Sequence, residues 1–247
     1  MSRPGLVSAA LRNDLQSWSG YRYAWALPAL ATTSVVVSTA GSIQASLFRQ
    51  ALGGPEVEMS GRTLYVGADW TWFFTSTLFL VSTVLLIDQP RGWMRLTFVR
   101  GVSPRSWALA RLLALCGGAV VYLGILMATL ALLMLVRHHV PYVREQTLWD
   151  VGLWAVGLVS LGWTAMALTL LLRTGWAAWA VTESLLAVAR FGGPASGYVP
   201  FAQWMVALHG FPGTLSVSVG IAYVVLWTGC TGCLVICGAK LRGIDAL

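Results

Sequence analysis

The sequence predicts an all-α, polytopic membrane protein, and three observations carry that expectation. Hydrophobic residues fill 57% of the 247 positions, while charged residues fill only 10%. The apolar residues fall in runs of roughly twenty, the length that crosses hydrocarbon as a helix. The basic residues gather in the short segments between those runs, where a topology signal belongs. In a soluble protein a net charge of +7 would suggest a nucleic-acid partner. Here membrane orientation accounts for it, and no nucleic-acid partner is expected. The expected architecture is one transmembrane domain over residues 1–247. It has six transmembrane helices, an N-terminal interfacial helix and a broken re-entrant hairpin between spans five and six.

Residues 5–18 place Leu6, Ala9, Ala10 and Leu15 roughly on one helical face, with Arg12 and Asp14 elsewhere. That pattern predicts a short helix lying on the inner leaflet. No apolar stretch directly follows the early arginine, so a cleaved leader is not expected. The first span is expected from about Ala24 to Phe48, with Tyr21, Tyr23 and Trp25 at headgroup level and Pro28 in its first turns. Gly53, Gly54, Pro55 and Gly61 make 49–68 a polar loop. The second span is expected over about Trp70–Ile87. A basic segment follows, and Ser103-Pro104 then reads as an N-cap with proline at the first helical position. The third helix is expected to carry Arg105 and Arg111 at its wet end and to cross as about Leu112–Val136.

Residues 137–149 read as a polar loop holding Pro141, and the fourth span as about Asp150–Leu172. Gly152, Gly157 and Gly162 recur at every fifth position in that span. Small residues let helices approach closely in a membrane, although this spacing is not GxxxG. Arg173, Thr174 and Gly175 predict a tight turn. The fifth run, Trp176–Phe191, is short for a crossing. Pro194, Pro200 and Pro212 break residues 192–213 into the expected outer-leaflet hairpin, and the sixth span is about Thr214–Gly238. With both ends inside, eleven basic residues face the cytoplasm and five face outward, which favours this orientation.

The basic segment DQPRGWMRLTFVRGVSPRSWALAR, residues 88–111, holds five of the sixteen basic residues. It cannot lie in hydrocarbon, where each arginine costs about 2.5–3.5 kcal/mol on insertion scales. It is expected to be a cytoplasmic loop, long enough for one amphipathic helix that a soluble partner grips.

This set of features resembles the permease subunits of type-two ABC exporters. The local likeness lies in Asp88-x-x-Arg91-Gly92 followed by Arg100-Gly101-Val102-Ser103-Pro104-Arg105-Ser106-Trp107-Ala108-Leu109-Ala110-Arg111-Leu112-Leu113. Asp88 stands where that family more often has Glu, and Arg111 where it more often has Lys. The resemblance implies a cytoplasmic coupling segment over residues 88–105. Its charged grips would be Arg91, Arg95, Arg100 and Arg105 and its apolar ones Trp93, Leu96 and Phe98, with Asp88 and Gly92 also in the coupling set. It also implies separate cytoplasmic ABC ATPase subunits, a second permease subunit (self or sister) and a multi-pass place in a bacterial cytoplasmic membrane. ATP and magnesium would belong to the partner. The only lysine, Lys240, stands between Ala239 and Leu241. No phosphate-cradling Gly-Lys-Ser/Thr is therefore present, and this chain is not expected to be an enzyme. The plainer role for these arginines is contact with anionic lipid, worth about 1 kcal/mol each.

Glu183 is the acidic residue near the middle of an apolar run, where an ionisable group by default marks a pathway or a partner. It is the candidate polar contact for transport. The structural alternative is a helix-to-helix hydrogen bond, or water contact near the end of a short span. Cys230, Cys233 and Cys237 share a helical stripe of the kind that soft metals favour. Their neighbours are Gly, Thr and Leu, so they read as small apolar filler, and no metal site is expected there or at His138-His139. Ser196 and His209 offer a faint hydrolase pair, but Ser196 lies in a loop. The alternatives to an exporter are thus a non-transporting regulatory or immunity membrane protein and, further off, an intramembrane hydrolase.

Overall fold

The computed structural model describes residues 12, 73, 75–83, 102–136, 145–191 and 217–245. Within them the chain is helical. The elements are α1 (residues 75–83), α2 (Pro104–Val136), α3 (Glu145–Leu172), α4 (Gly175–Phe191) and α5 (Val217–Asp245). Among the described residues, three helices are long and apolar enough to cross a membrane: Pro104–Thr129, Val151–Leu172 and Ser218–Leu241. These are the expected third, fourth and sixth spans. The first span and the hairpin 192–213 lie outside the described residues. Of the interfacial segment 5–18, Arg12 alone is described, and it is helical and exposed.

Two boundaries differ from expectation. The helix of the fourth span begins at Glu145, so residues 145–149 are helix rather than loop. No Gly or Pro follows Pro141 in that stretch, and nothing in it stops a helix from starting early. α5, where the sixth span was expected, runs on through Asp245, past the expected end at Gly238. A single glycine costs a helix only about 1 kcal/mol. α4 has 17 residues, or roughly 26 Å from the rise per residue, just short of a full crossing.

α3 is the hub, packing against α2, α4 and α5, while α5 also packs against α2. α3 buries the largest share of the three candidate spans and α5 the smallest. The core is made of Trp154, Leu158, Leu161 and Met166 from α3, Leu115 and Leu126 from α2, Phe79 from α1 and Leu186 from α4. Outward, Val120, Leu132, Leu226 and Leu241 are more than 60% exposed. In water so many exposed aliphatic side chains would form an aggregating patch. Against lipid tails they cost nothing, as expected of a membrane protein.

Many of the hydroxyl groups inside these helices are satisfied within their own helix. Ser82, Thr83, Thr129, Thr164, Thr169, Thr182, Ser184 and Thr228 each donate to the carbonyl four residues earlier. That arrangement removes the cost of a bare hydroxyl in hydrocarbon. Two indoles then tie the helices together. Trp163 Nε1 donates to Leu112 O at 3.3 Å, joining α3 to α2. Trp227 Nε1 donates to Thr164 Oγ1 at 3.0 Å, joining α5 to α3.

The α3–α4 turn forms where the sequence placed it, with an unexpected residue at its corner. Arg173 takes the left-handed conformation, at φ 64°. Its N–H donates to Thr169 O at 3.0 Å, closing α3, and Thr174 Oγ1 accepts from Ala177 N at 3.0 Å, capping α4. A β-branched side chain is strained in this region by about 1–2 kcal/mol. Arg173→Val should therefore lower the thermal midpoint in detergent, whereas Arg173→Gly should hold it. Equal midpoints for the two variants would contradict this account of the corner.

Candidate functional site

The junction between the basic segment and α2 is built by a cap. Ser103 Oγ accepts from Ser106 N at 3.1 Å and donates to Ser106 Oγ at 2.8 Å. Trp107 N closes the first turn on Ser103 O at 2.9 Å. Pro104 follows at the first helical position, where its missing N–H is no loss. Arg105 is exposed in that first turn, as the sequence led one to expect.

Arg111 differs. It was expected at the wet end with Arg105, yet it is only 5% exposed, with its guanidinium carbon 5.5 Å from the centre of the Trp107 ring. The i, i+4 spacing explains this, because helical side chains lean toward the N-terminus and lay residue 111 over residue 107. A cation over an indole is worth about 0.5–1 kcal/mol exposed and up to ~2 kcal/mol when desolvated. Asp88, Arg91, Gly92, Trp93, Arg95, Leu96, Phe98 and Arg100 lie outside the described residues, as do His138, His139, Ser196 and His209.

The second place is Glu183, in the middle of α4. Thr77 Oγ1, from α1, donates to Glu183 Oε1 at 2.7 Å, a contact between residues 106 positions apart. The structural alternative for Glu183, a hydrogen bond between helices, is therefore present. Glu183 Oε2 is buried and has no hydrogen-bond partner among the described residues. One turn earlier on the same helix, Trp179 stands edge-to-face with Trp176, ring centres 6.2 Å apart.

α1 is held on its other side by α2. Tyr122 donates its hydroxyl to Thr75 O at 2.8 Å, and its ring meets Phe79 edge-on with centres 5.3 Å apart. Sequence reasoning named neither Thr77, Tyr122 nor Trp179. The i, i+4 pair Trp107/Arg111 was the available signal for the local partner of Arg111. The α1 contacts carry no local signal.

Cys230, Cys233 and Cys237 are exposed on α5, and Cys116 is partly buried on α2. Among the described residues, no group of three or more His, Cys, Asp or Glu could hold a metal ion. No protein-family model, curated protein or solved structure matches the chain.

Proposed function

We propose that this chain is the membrane-spanning permease subunit of an ATP-driven exporter similar to the type-two ABC superfamily. A separate cytoplasmic ATPase docks on residues 88–105, and a second permease subunit completes the pathway. The proposal includes the six-span, N-in and C-in topology, the 192–213 hairpin and a bacterial cytoplasmic membrane. Its cargo is a peptide antibiotic, a drug or a lipid-like molecule.

The observation that carries the proposal is the junction at Ser103. The basic segment enters a capped helix that runs unbroken from Pro104 to Val136. A 33-residue helix is roughly 50 Å long, well over the hydrocarbon thickness. A push on its cytoplasmic end is transmitted through the bilayer as a rigid-body movement. Arg105, exposed at that end, is the described member of the docking set.

The test is charge reversal at Arg95 together with Arg100. Truncating charge partners in a docked interface typically costs about 2–5 kcal/mol. Co-purification of the ATPase should thus fall more than about tenfold while the variant still inserts. Reversal at Arg49 and Arg62, on the opposite side in this topology, should leave the complex intact. Undiminished recovery of an ATPase with the Arg95/Arg100 variant would refute docking and leave lipid anchoring as the role of these arginines.

A further inference from the structure

The start of α2, the α3–α4 turn and the end of α5 lie at one end of the bundle, and contacts between these helices fix the relative depth of their residues. Trp163 of α3 bonds Leu112 O on α2 and lays its ring against Gly232 of α5, so these three residues stand at one level. Leu170, seven residues further along α3, lies about 10 Å nearer that end at the helical rise per residue. Gly238 of α5 packs on it, a β-carbon there falling 3.3 Å from Leu170. Arg105, seven residues before Leu112, is raised by the same distance of about 10 Å on α2. Arg173 and Lys240 stand just beyond Leu170 and Gly238. Three cations on three helices thus share one depth to within about 5 Å, and all three are exposed.

That depth is also where the apolar surface ends. Leu109, one turn along α2 from Arg105, Leu172 beside Arg173 and Leu241 beside Lys240 are each more than 40% exposed. Trp176, in the first turn of α4, is 51% exposed at the same edge. Outward-facing leucines belong against acyl chains, and a half-exposed tryptophan at their margin belongs at headgroup level. Arginine and lysine on this line reach lipid phosphates while their stems stay on hydrocarbon. Charges meant for a soluble acidic partner would stand clear of the leucines instead of among them. Of the acidic residues in the described helices, Glu145 and Asp150 open α3 at the opposite end, Glu183 is midway along α4, and Asp245 closes α5 on this one. The end therefore carries an excess of positive charge.

We propose that this end of the bundle binds anionic phospholipid headgroups in preference to zwitterionic ones, through Arg105, Arg173 and Lys240. The inference rests on the membrane placement of α2, α3 and α5 and not on the exporter reading. Arg105 also belongs to the proposed docking set. The decisive variant therefore leaves it in place and changes Arg173 and Lys240, which lie outside residues 88–105.

The test follows the thermal midpoint of the full-length chain in a nonionic detergent during three titrations: phosphatidylglycerol, phosphatidylcholine with the same acyl chains, and inorganic phosphate. Phosphatidylglycerol should raise the midpoint at concentrations at least about tenfold lower than phosphatidylcholine needs. Inorganic phosphate, which has no acyl chains to hold it beside the leucines, should leave the midpoint unchanged. Arg173→Gly combined with Lys240→Gln should abolish the advantage, a loss of about fivefold per cation. An unmoved phosphatidylcholine curve shows that the fold is kept, and Lys240→Gln alone should still lose about fivefold. Arg144→Gln, one residue before α3 begins at the opposite end, should keep the advantage in full. Equal curves for the two lipids, a phosphate effect matching that of phosphatidylglycerol, an advantage retained in the double variant, or one lost equally in Arg144→Gln would each overturn the proposal.

Discussion

Gly232→Val is expected to destabilise the folded chain by about 1–3 kcal/mol or more, the range for forcing atoms into a filled contact. Gly229→Val, one turn earlier on the same helix, is expected to be nearly silent. The difference lies in what a β-carbon would meet. At Gly232 it would fall 2.8 Å from Trp163 Cζ3 and 3.0 Å from Cε3, closer than real side chains come. The indole cannot simply swing aside, because its Nε1 donates to Leu112 O and the ring bridges α3 to α2 while α5 presses on it. At Gly229 nothing lies within 4 Å. Small residues let membrane helices approach closely, and here the close approach is of α5 onto a tryptophan face. Unfolding of the two variants in detergent, followed by tryptophan emission, makes the comparison. Equal losses would mean that the cost is one of helix propensity rather than of contact.

That glycine also shows where sequence reasoning stopped. The regular spacing of Gly152, Gly157 and Gly162 drew attention to α3, yet Gly152 has nothing within 4 Å and Gly162 meets Phe79 and Leu115 only at ordinary contact distance. The tight contacts are at Gly232 and Gly238 on α5, where a β-carbon at 238 would come within 3.3 Å of Leu170. A helix that is apolar all round carries no periodic signal of which face meets a neighbour. Spacing therefore cannot say which glycines are contacts.

Punctuation, in contrast, was legible. Ser103-Pro104 starts α2 as read, and the turn at 173–175 separates α3 from α4. Both are local, set by side-chain oxygens and backbone geometry within four residues. The candidate site was legible only as one acidic residue in an apolar run. Its partner Thr77 is one of many hydroxyl residues in this chain, and its choice depends on tertiary packing across 106 positions. Arg111 was misplaced because a charge near a helix start reads as solvated, and the covering ring of Trp107 was not weighed.

Tyr122→Ala is expected to cost about 3–5 kcal/mol, the range for deleting a buried large aromatic side chain. Tyr122→Phe should cost only about 0.5–1.5 kcal/mol, the net value of one hydrogen bond. Tyr122 is 2% exposed, its ring packs on Phe79, and its hydroxyl is spent on Thr75 O. It joins α1, which leads into the basic segment, to α2, which leaves it. If an ATPase moves residues 88–105 as proposed, this contact and the Thr77–Glu183 bond make α1 travel with α2 and α4 rather than alone. Tyr122→Ala should then lose ATP-driven transport even at temperatures where the bundle stays folded, while Tyr122→Phe keeps both fold and transport. ATPase docking should survive in both variants, because the charged segment itself is unchanged. A Tyr122→Ala variant that is folded, docked and fully active would show that α1 and α2 need not move together.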